Sequence, residues 1–309
     1  MPKVSVIVPV YGVEQYIARC ARSLFAQTLE DMEFIVVDDC SPDRSVDVLE
    51  GVLSEFPARA GQVRLIRLPV NSGLPYVRKT GFEASAGDFI LHCDSDDWLE
   101  EDACARLWEK AVSEDADVVV CDYYTESAGG TEKRDAGGDS AGDPVSRLLS
   151  GRIPGYVWNK LVRRGLYGWL ECWPAANMWE DKVLSVQFLY FSRNTVFLPG
   201  ALYHYRISDA GMCLSEQTRR KVSQLQDNVA LILSFLESKG LAERYGRELS
   251  ALKAEVQMFA MSLPRKEYLA VYPENRFRQF LSPFVPFSWK AGHLTRLLGV
   301  HGLSSVFRR

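Results

Sequence analysis

Apolar runs alternate with amphipathic runs through the first 125 residues of the chain. The apolar runs have the length and composition of buried strands and lie at residues 4–10, 34–37, 63–68, 88–93 and 117–123. The stretches between them show helical spacing of apolar residues, at 14–27, 45–56, 75–86 and 101–113. Strands that are apolar throughout and separated by helices predict an α/β fold, with a doubly wound, mostly parallel sheet covered by helices on both faces.

The pattern changes after residue 125. Residues 126–143 are polar, Gly-rich and nearly without large apolar side chains, which predicts a mobile loop and a candidate active-site flap. Residues 144–214 are irregular and rich in Trp. The chain becomes helical after Ser215, with apolar residues at 3-4-3-4 spacing between 222 and 236. We therefore predict a domain boundary after residue 215 and a helical C-terminal extension.

Composition excludes several classes of protein. The 309 residues are 47% hydrophobic and 25% charged, as in a globular protein rather than a disordered or collagen-like chain. No stretch approaches the roughly 18–20 uncharged apolar residues of a membrane-spanning helix. Because the first residues run directly into a strand-like pattern, a cleavable leader is not expected. Seven scattered cysteines without a Cys-x-x-Cys pair argue against a disulfide framework or a zinc site and favour a cytoplasmic location.

The C-terminal region has a charge that differs from that of the rest of the chain. The net charge is −4, yet residues 275–309 contain six Lys or Arg and no acidic residue. Aromatic residues and leucines are interleaved with these charges. Two interpretations remain open: a solvated basic surface, or contact with an anionic membrane surface or a partner, which would make the protein peripheral at the inner face of the membrane.

Ligands of open parallel sheets bind beyond the carboxyl ends of the strands, so the polar residues there are the first candidates. The first strand ends in Pro-Val-Tyr-Gly at 9–12, the second in Asp-Asp-Cys-Ser at 38–41 and the fourth in Asp-Ser-Asp-Asp at 94–97. A Gly-x-Gly-x-x-Gly after the first strand and a Gly-x-x-x-x-Gly-Lys-Ser/Thr loop are both lacking from the sequence. A dinucleotide dehydrogenase and a P-loop NTPase are therefore disfavoured.

Three carboxylates within residues 94–97 point to a cation. In an extended chain Asp94 and Asp96 face the same way, and hard oxygen ligands suit Mg²⁺ or Mn²⁺ that bridges to a substrate diphosphate. The alternative, that Asp97 or nearby acids favour the start of the following helix, explains one acid rather than three. The pair Asp38 and Asp39 could either hydrogen-bond loop backbone or accept from a ribose hydroxyl or a base N–H.

Taken in order, these motifs resemble those of the family 2 glycosyltransferases, which have the GT-A fold. The resemblance rests on residues 4–11, 36–41, 71–74 with Arg78 and Gly81, and 87–97, and more loosely on 158–161, 179–181 and 203–206. Family members usually carry Asn where this chain has Gly12. The resemblance implies a GT-A nucleotide-sugar-binding and catalytic domain at 1–215, in the bacterial surface-glycan branch of the family. It does not extend beyond residue 216, and the helical region with a basic aromatic tail at 216–309 is predicted from the pattern of the sequence alone.

The activity that this resemblance implies is an inverting, metal-dependent transfer of a sugar. The donor would be a nucleotide sugar, most often a UDP-sugar, and the acceptor a hydroxyl of a glycan or lipid-linked molecule; a nucleic-acid partner is not expected. Mg²⁺ or Mn²⁺ would be the cofactor, with Asp96 as its ligand. The residues implied in donor binding are Pro9, Tyr11, Asp39, Asn71, Arg78, Asp94, Ser95 and Arg206.

The resemblance also implies that Asp181 is the general base. An inverting transfer needs a base on the acceptor side, away from the leaving diphosphate, and Asp181 is distant in sequence from Asp96. Judged from the sequence alone, Glu180 and Asp181 could instead stabilise the helix that they begin by interacting with its positive N-terminal end. His204 could complete a metal shell or be a hydrogen-bonded structural residue, and the buried position of His92 indicates a structural role. The tryptophans of 158–179 fit either a core or a sugar-stacking surface.

Two other functions are compatible with parts of this pattern. A sugar-phosphate nucleotidyltransferase also combines a doubly wound sheet with Mg²⁺, but it would show a Gly-rich, Arg- or Lys-containing stretch after the first strand, which is lacking here. A non-catalytic glycan- or nucleotide-binding module would not need acids at all of the key positions, and they are all present.

Overall fold

The chain folds into two compact units. The structure, a computed structural model, describes residues 1–138, 142–207 and 215–299. The first unit comprises Met1–Gly142, Tyr156–Trp173 and Gln187–Asp209, and the second comprises Asp143–Gly155, Pro174–Val186 and Ala210–Arg309. Three segments from within the range 1–215, at 143–155, 174–186 and 210–215, thus belong to the second unit.

The first unit is built on a mixed sheet. Its strands are β1 Val4–Val10, β2 Met32–Asp38, β3 Val63–Arg67, β4 Phe89–His92, β5 Trp98–Leu99, β6 Val118–Ser127, β7 Gly130–Arg134, β8 Lys160–Arg163 and β9 Thr195–Arg206. They lie in the order β3-β2-β1-β4-β8-β6-β9-β5, with β7 paired to β6. β1 is parallel to β2 and β4, β2 to β3, and β6 to β9, whereas β8, β5 and β7 pair antiparallel. The prediction of a mostly parallel sheet in an α/β fold is confirmed.

Eleven α-helices accompany these strands in the described ranges. They are α1 Ile17–Phe25, α2 Ser45–Ser54, α3 Leu74–Ala84, α4 Ala103–Ser113, α5 Pro144–Leu149, α6 Glu180–Phe191, α7 Ser215–Ser238, α8 Gly246–Phe259, α9 Arg265–Ala270, α10 Arg278–Leu281 and α11 Phe287–Leu298. Short 3-10 helices occur at Pro57–Gln62, Arg164–Trp169, Ala260–Ser262 and Pro273–Asn275. The strands and helices predicted before residue 125 are all present, with ends that shift by a few residues.

Close packing at the centre of the sheet accounts for two motif glycines. All seven residues of β1 are buried, as expected for a strand covered on both faces. A Cβ on Gly81 of α3 would overlap Cγ2 of Ile7, and one on Gly87 would lie 2.5 Å from Ser5 Oγ. Both positions therefore require glycine so that helix α3 and the start of β4 can approach β1.

Residues 126–134 form a β-hairpin, so the prediction of a mobile loop at 126–143 is wrong for this part. Strand β6 continues to Ser127, and β7 pairs antiparallel with it through Glu126 and Thr131. All five residues of β7 are exposed, so the hairpin depends on backbone pairing and shows no apolar pattern. Residues 139–141 of the predicted flap lie outside the described residues.

Strands β8 and β9 lie in the region whose sequence pattern is irregular. In β9 the alternation of side chains is interrupted by Pro199 and Gly200, where the pairing with β6 shifts register. Gly200 has a φ of +118°, a conformation that favours glycine. Because the bulge interrupts the alternation of buried and exposed side chains, the hydrophobic pattern of the sequence does not indicate this strand.

The second unit is helical, as predicted for the C-terminal extension. The predicted 3-4-3-4 positions of α7 are buried, at Val222, Leu225, Val229, Ile232 and Leu236. Helix α5 begins at an Asp143 N-cap, whose carboxylate accepts from the backbone N–H groups of Val145 and Ser146. Across the described ranges, no helix has both the length and the apolarity to cross a bilayer. Residues 300–309 of the predicted basic tail are outside the described part of the chain.

Candidate active site

The carboxyl ends of β2, β1 and β4 meet at one edge of the sheet. The three strands are parallel neighbours, with Val10 opposite Asp38 and Ile7 opposite His92. The residues that follow them are therefore brought to the same edge, as the parallel topology requires. The predicted site residues gathered there are Pro9, Tyr11, Asp39, Asp94, Ser95 and Asp96.

Gly12, where members of the resembling family usually carry Asn, has a left-handed backbone conformation. Its φ is +66°, in the left-handed region that glycine adopts freely and that Asn tolerates better than other residues. The turn after β1 is therefore compatible with either residue. Tyr11, directly before it, is half exposed and faces solvent.

Asp39 binds the loop that precedes α3. Its two carboxylate oxygens accept from the backbone N–H groups of Ser72, at 2.6 Å, and Gly73, at 2.9 Å, and the residue is buried. Of the two interpretations of this acid, hydrogen bonding to loop backbone is observed. The contact also brings Asn71, the residue before Ser72, to the end of β2.

Asp94 is paired with a buried arginine. Nη2 of Arg78 lies 2.9 Å from Asp94 Oδ1, and the Arg78 side chain is 1% exposed. The backbone N–H of Asp94 donates to the hydroxyl of Tyr203 at 3.0 Å. The predicted residues Arg78 and Asp94 are thus in direct contact, and the ion pair fixes the first acid of the 94–97 cluster.

Asp97 is a buried structural acid and does not cap a helix. The hydroxyl of Tyr203 donates to its Oδ2 at 2.7 Å, and the backbone N–H of Arg206 donates to its Oδ1 at 2.8 Å. Helix α4 begins only at Ala103. Burial and the negative charges of Asp94 and Asp96 raise the pKa of the Asp97 carboxyl to about 8.

Asp96 is paired with Arg206. Nη2 of Arg206 lies 3.0 Å from Asp96 Oδ2, and both side chains remain partly exposed. Burial and the charge of Asp94 raise the pKa of the Asp96 carboxyl. The negative charge of Asp94 thus disfavours the ionisation of both Asp96 and Asp97.

Two aromatic residues support this cluster without having been assigned a role from the sequence. The ring of Tyr203 stacks on that of Trp158, with centroids 4.3 Å apart and planes at 15°. The ring of Tyr16 lies 3.7 Å from the guanidinium carbon of Arg206. Trp158 is 2% exposed and belongs to the core, which agrees with a core rather than a sugar-stacking role. Tyr203 is the first residue of the Tyr-His-Tyr-Arg motif at 203–206, and its place in this motif was the signal that the sequence offered.

His204 has the contacts of a structural histidine. Its Nδ1 lies 2.7 Å from a carboxylate oxygen of Glu126, and its Nε2 lies 2.8 Å from one of Glu100. Its ring stacks between Trp98 and Tyr124. Both ring nitrogens are thus engaged by carboxylates, which fits the structural interpretation better than a place in a metal shell.

His92 is buried and hydrogen-bonds to Tyr167. Its Nε2 lies 2.8 Å from the Tyr167 hydroxyl, and no hydrogen-bond partner for Nδ1 occurs among the residues of the described ranges. Burial, together with the charge of Arg78, lowers the pKa of His92 well below its usual value of 6.5. The role of His92 is structural, as predicted.

His92 is expected to contribute a loss of stability as the pH is lowered below about 6.5. It resists protonation in the folded state, so the unfolded chain binds more protons there, and its contribution to the free energy of unfolding decreases by up to about 1.4 kcal/mol per pH unit. The raised pKa of Asp97 acts in the opposite direction over the same range, so the contribution of His92 is the difference between the wild type and His92→Gln in denaturant unfolding at pH 7.5, 6.5 and 5.5. On acidification the wild type should lose stability relative to this variant, and a difference that does not change with pH would contradict the prediction.

Asp181 lies in the second unit, at the start of helix α6. Glu180 and Asp181 both occupy the first turn, and Asp181 Oδ1 accepts from the backbone N–H of Lys182 at 2.8 Å. The preceding Trp179 has a φ of +63°, an unfavourable conformation for an aromatic residue, and Nζ of Lys182 lies 3.6 Å from its ring centroid. A favourable helix start and a general base are both compatible with this geometry, so the catalytic role stays a prediction.

Comparison with known proteins gives consistent matches to glycosyltransferases. EpsH of Bacillus subtilis, which is named as a glycosyltransferase, is 34% identical over 80% of this chain and 73% of its own. The glycosyltransferase GlyA of Streptococcus pneumoniae is 31% identical over 77% of this chain and 35% of its own.

Solved structures show the same fold at low sequence identity. Residues 1–349 of TarS from S. aureus, in complex with UDP-GlcNAc, align over 99% of this chain and 91% of theirs, with a TM-score of 0.60 and 17% identity. A mannosyltransferase from Pyrobaculum calidifontis, in complex with GDP-Man and Mn²⁺, aligns over 97% of this chain and 88% of its own, with a TM-score of 0.56 and 15% identity.

The sequence model of glycosyl transferase family 2 matches residues 5–160 of the 309. That range contains the ends of β1, β2 and β4, where the predicted donor-binding acids lie. Since this model spans half of the chain and EpsH is more than 30% identical over four-fifths of it, the chain belongs to the family 2 glycosyltransferases.

Proposed function

We propose that this protein transfers a sugar, with inversion, from a UDP-sugar to a hydroxyl of a glycan or lipid-linked acceptor in bacterial surface polysaccharide synthesis. The observation that carries the proposal is the convergence of Asp39, Asp94 and Asp96 at the shared edge of β2, β1 and β4. The binding of UDP-GlcNAc and UDP by TarS, which has the same fold, supports a uridine nucleotide as the donor.

The nucleoside would lie between the loops that follow β1 and β2. Pro9 lies near the end of β1 and Tyr11 directly after it, while Asp39, directly after β2, binds the backbone of Ser72 and Gly73. Asn71 would approach the nucleoside from the loop between β3 and α3, which this contact holds. Ionised Asp39 has acceptor sites beyond the two that the loop uses, since a carboxylate offers about four, so it can also accept from a base N–H.

The ribose and the diphosphate would lie over the end of β4. The Arg78 ion pair fixes Asp94 for a hydrogen bond to a ribose hydroxyl. Ser95 is buried directly after it, in the turn that follows β4. Arg206, partly exposed next to Asp96, is placed to pair with phosphate oxygens, for which a guanidinium is well suited.

The acids of this edge fit a divalent ion that is bound together with its substrate. Within the described ranges, no group of three His, Cys, Asp or Glu side chains forms a closed metal site. Mg²⁺ is commonly held by one or two carboxylates and by substrate phosphates, which is what partly exposed Asp96 beside Asp94 can provide. When bound, such an ion would neutralise the charge that develops on the leaving diphosphate.

Residues of the chain would carry out the remaining steps. Arg78 and Asp94 would orient the donor, and the guanidinium of Arg206 would offset part of the negative charge of the diphosphate. The carboxylate of Asp181 would take the proton from the acceptor hydroxyl as the acceptor oxygen attacks the anomeric carbon. Attack from the side opposite the diphosphate inverts the configuration of the sugar.

A panel of nucleotide sugars tests this proposal. We expect Mn²⁺-dependent hydrolysis of at least one UDP-sugar and protection against thermal unfolding by UDP with Mn²⁺, since a ligand that binds the folded state stabilises it. A pyrophosphate product formed from a sugar phosphate and a nucleoside triphosphate would instead indicate a nucleotidyltransferase. Nucleotide binding without any turnover would indicate a binding module.

We also propose that the region 275–309 contacts an anionic membrane surface at the inner face of the membrane. Phe287, Leu294 and Leu298 share one face of α11, at spacings of seven and four residues, and they are 86%, 47% and 69% exposed. Gly292 and His293 are buried on its other side. An apolar stripe within a region that contains six cations and no acid matches a bilayer with negatively charged lipids.

Flotation with liposomes is expected to detect this contact. The full-length triple variant Phe287→Ser, Leu294→Ser, Leu298→Ser should lose at least about tenfold in partition to vesicles of phosphatidylglycerol and phosphatidylcholine, since each apolar side chain contributes about 1.5–3 kcal/mol when buried. The matched control is Val70→Ser, Val112→Ser, which removes exposed apolar residues of the first unit. Equal flotation of wild type and triple variant would contradict the contact.

A further inference from the structure

Arg206 neutralises the carboxylate that we propose as the metal ligand. Its Nη2 lies 3.0 Å from Asp96 Oδ2, and the two residues are 110 positions apart in sequence. The contact is made by the fold, through the pairing of β9 with β5 and β6. A guanidinium therefore supplies the positive charge that crowded acids attract.

The backbone of Arg206 is held while most of its guanidinium donors remain available. Its backbone N–H donates to Asp97, and Asp97 accepts in turn from the hydroxyl of Tyr203. The guanidinium lies against the ring of Tyr16, and its buried Nε has no hydrogen-bond partner within the part of the chain that the structure describes. A guanidinium carries five N–H donors, so the contact with Asp96 leaves capacity for an anion.

We propose that Arg206 is an exchangeable counter-cation of the metal site. It holds Asp96 in the empty protein, releases this carboxylate to the divalent ion, and then pairs with the diphosphate of the donor. The inference rests on the proposed function, because it takes Asp96 as the metal ligand and a nucleoside diphosphate as the leaving group. According to this inference, Arg206 couples the binding of the divalent ion to the binding of the donor's diphosphate.

The physical reason is charge repulsion. A divalent ion and a guanidinium on the same carboxylate repel each other, so the ion must displace Arg206 in order to bind. The displaced guanidinium has lost its partner and gains more by pairing with phosphate oxygens, which it can contact in a bidentate manner. Metal and diphosphate therefore raise the affinity for each other, and this coupling is reciprocal.

The variant Arg206→Gln should shift the two affinities in opposite directions. Mn²⁺ alone, followed by the electron paramagnetic resonance of the free ion, is expected to bind at least about fivefold more tightly than to the wild type. UDP, titrated calorimetrically at saturating Mn²⁺, is expected to bind at least about fivefold more weakly. A purely structural role of Arg206 would weaken both.

Two further variants separate charge from packing. Arg206→Lys keeps a cation beside Asp96 and should leave the Mn²⁺ affinity close to the wild-type value. Arg206→Met keeps an apolar contact with Tyr16 and should reproduce both shifts of Arg206→Gln, so a folding defect specific to one variant does not decide the outcome.

Arg164 provides a matched control. It also makes a hydrogen bond through Nη2, to the carbonyl of Ser85, lies near an aromatic ring, that of Phe82, and has a buried Nε without a partner among the described residues. Because its hydrogen bond is to a carbonyl rather than to an acid of the 94–97 cluster, Arg164→Gln should leave both affinities unchanged.

The outcomes distinguish this inference from the proposed function. If the wild type binds no UDP even with Mn²⁺, the proposed function fails. If the wild type binds UDP with Mn²⁺ but Arg206→Gln and Arg206→Met bind Mn²⁺ alone no more tightly than the wild type, the counter-cation role is overturned and the proposed function stands.

Discussion

Asp96→Ala is expected to lower Mn²⁺-dependent turnover of the nucleotide sugar at least about a hundredfold, the typical effect of removing one stabiliser of transition-state charge. The carboxylate is partly exposed, lies beside Asp94 and is paired with Arg206. The substitution removes the proposed ligand of the divalent ion and leaves the buried contacts of Asp94 and Asp97 in place. Turnover should be measured by release of UDP at saturating Mn²⁺.

The fold of this variant should be retained. An ion pair between partly exposed groups contributes only about 0–1 kcal/mol, so the free energy of unfolding should change little. The control is Asp102→Ala, which removes an exposed acid from the same connection between β4 and α4, where it pairs with Arg106. Near-wild-type turnover by Asp96→Ala would refute the metal role of this residue.

The second large effect is expected from Asp181→Asn. This variant should bind UDP with Mn²⁺ as the wild type does and yet transfer the sugar about 10²–10⁴-fold more slowly, because an amide cannot accept the proton of the acceptor hydroxyl. Calorimetry measures the binding, and transfer to a hydroxyl acceptor measures the rate. The combination of normal donor affinity and lost transfer is what identifies a base.

The competing explanation for Asp181 makes a different prediction. If the acid only favours the start of α6, Asp181→Asn should lose roughly 0.3–1 kcal/mol of stability and keep its rate of transfer. The matched control is Asp47→Asn, which makes the same change in the first turn of α2. Transfer at the wild-type rate by Asp181→Asn would remove this residue as the base.

The sequence predicted the central part of the sheet well because its signal is local. Strand β1 was placed at residues 4–10 and is found at Val4–Val10, since a strand buried on both faces is a continuous apolar run. The same signal did not find β7, whose residues are all exposed, nor β9, whose period is broken by Pro199 and Gly200. β7 depends on backbone pairing, which leaves little trace in hydrophobicity, whereas β9 contributes Leu202 and Tyr203 to the core but lacks a regular alternation along its length.

The sequence indicated several candidate residues that the fold brings to one edge of the sheet, but it did not indicate the contacts that they make there. The acids at 38–39 and 94–97 were found because polar residues directly after apolar strands stand out in a sequence. The partners of those acids come from distant positions: Ser72 and Gly73 bind Asp39, and Tyr203 binds Asp97. The Arg206 side chain was expected to bind phosphate, whereas in this structure it pairs with Asp96.

Residue order alone therefore established an α/β sheet, the strands that end in acids and the likeness to a glycosyltransferase family, because these depend on neighbours along the chain. The three-dimensional fold established which of those acids is buried, which is paired and which stays partly exposed. The reason is that burial and ion pairing depend on contacts such as Arg78 with Asp94 and Arg206 with Asp96, 16 and 110 residues apart, which form only when β4 and β9 take their places in the sheet.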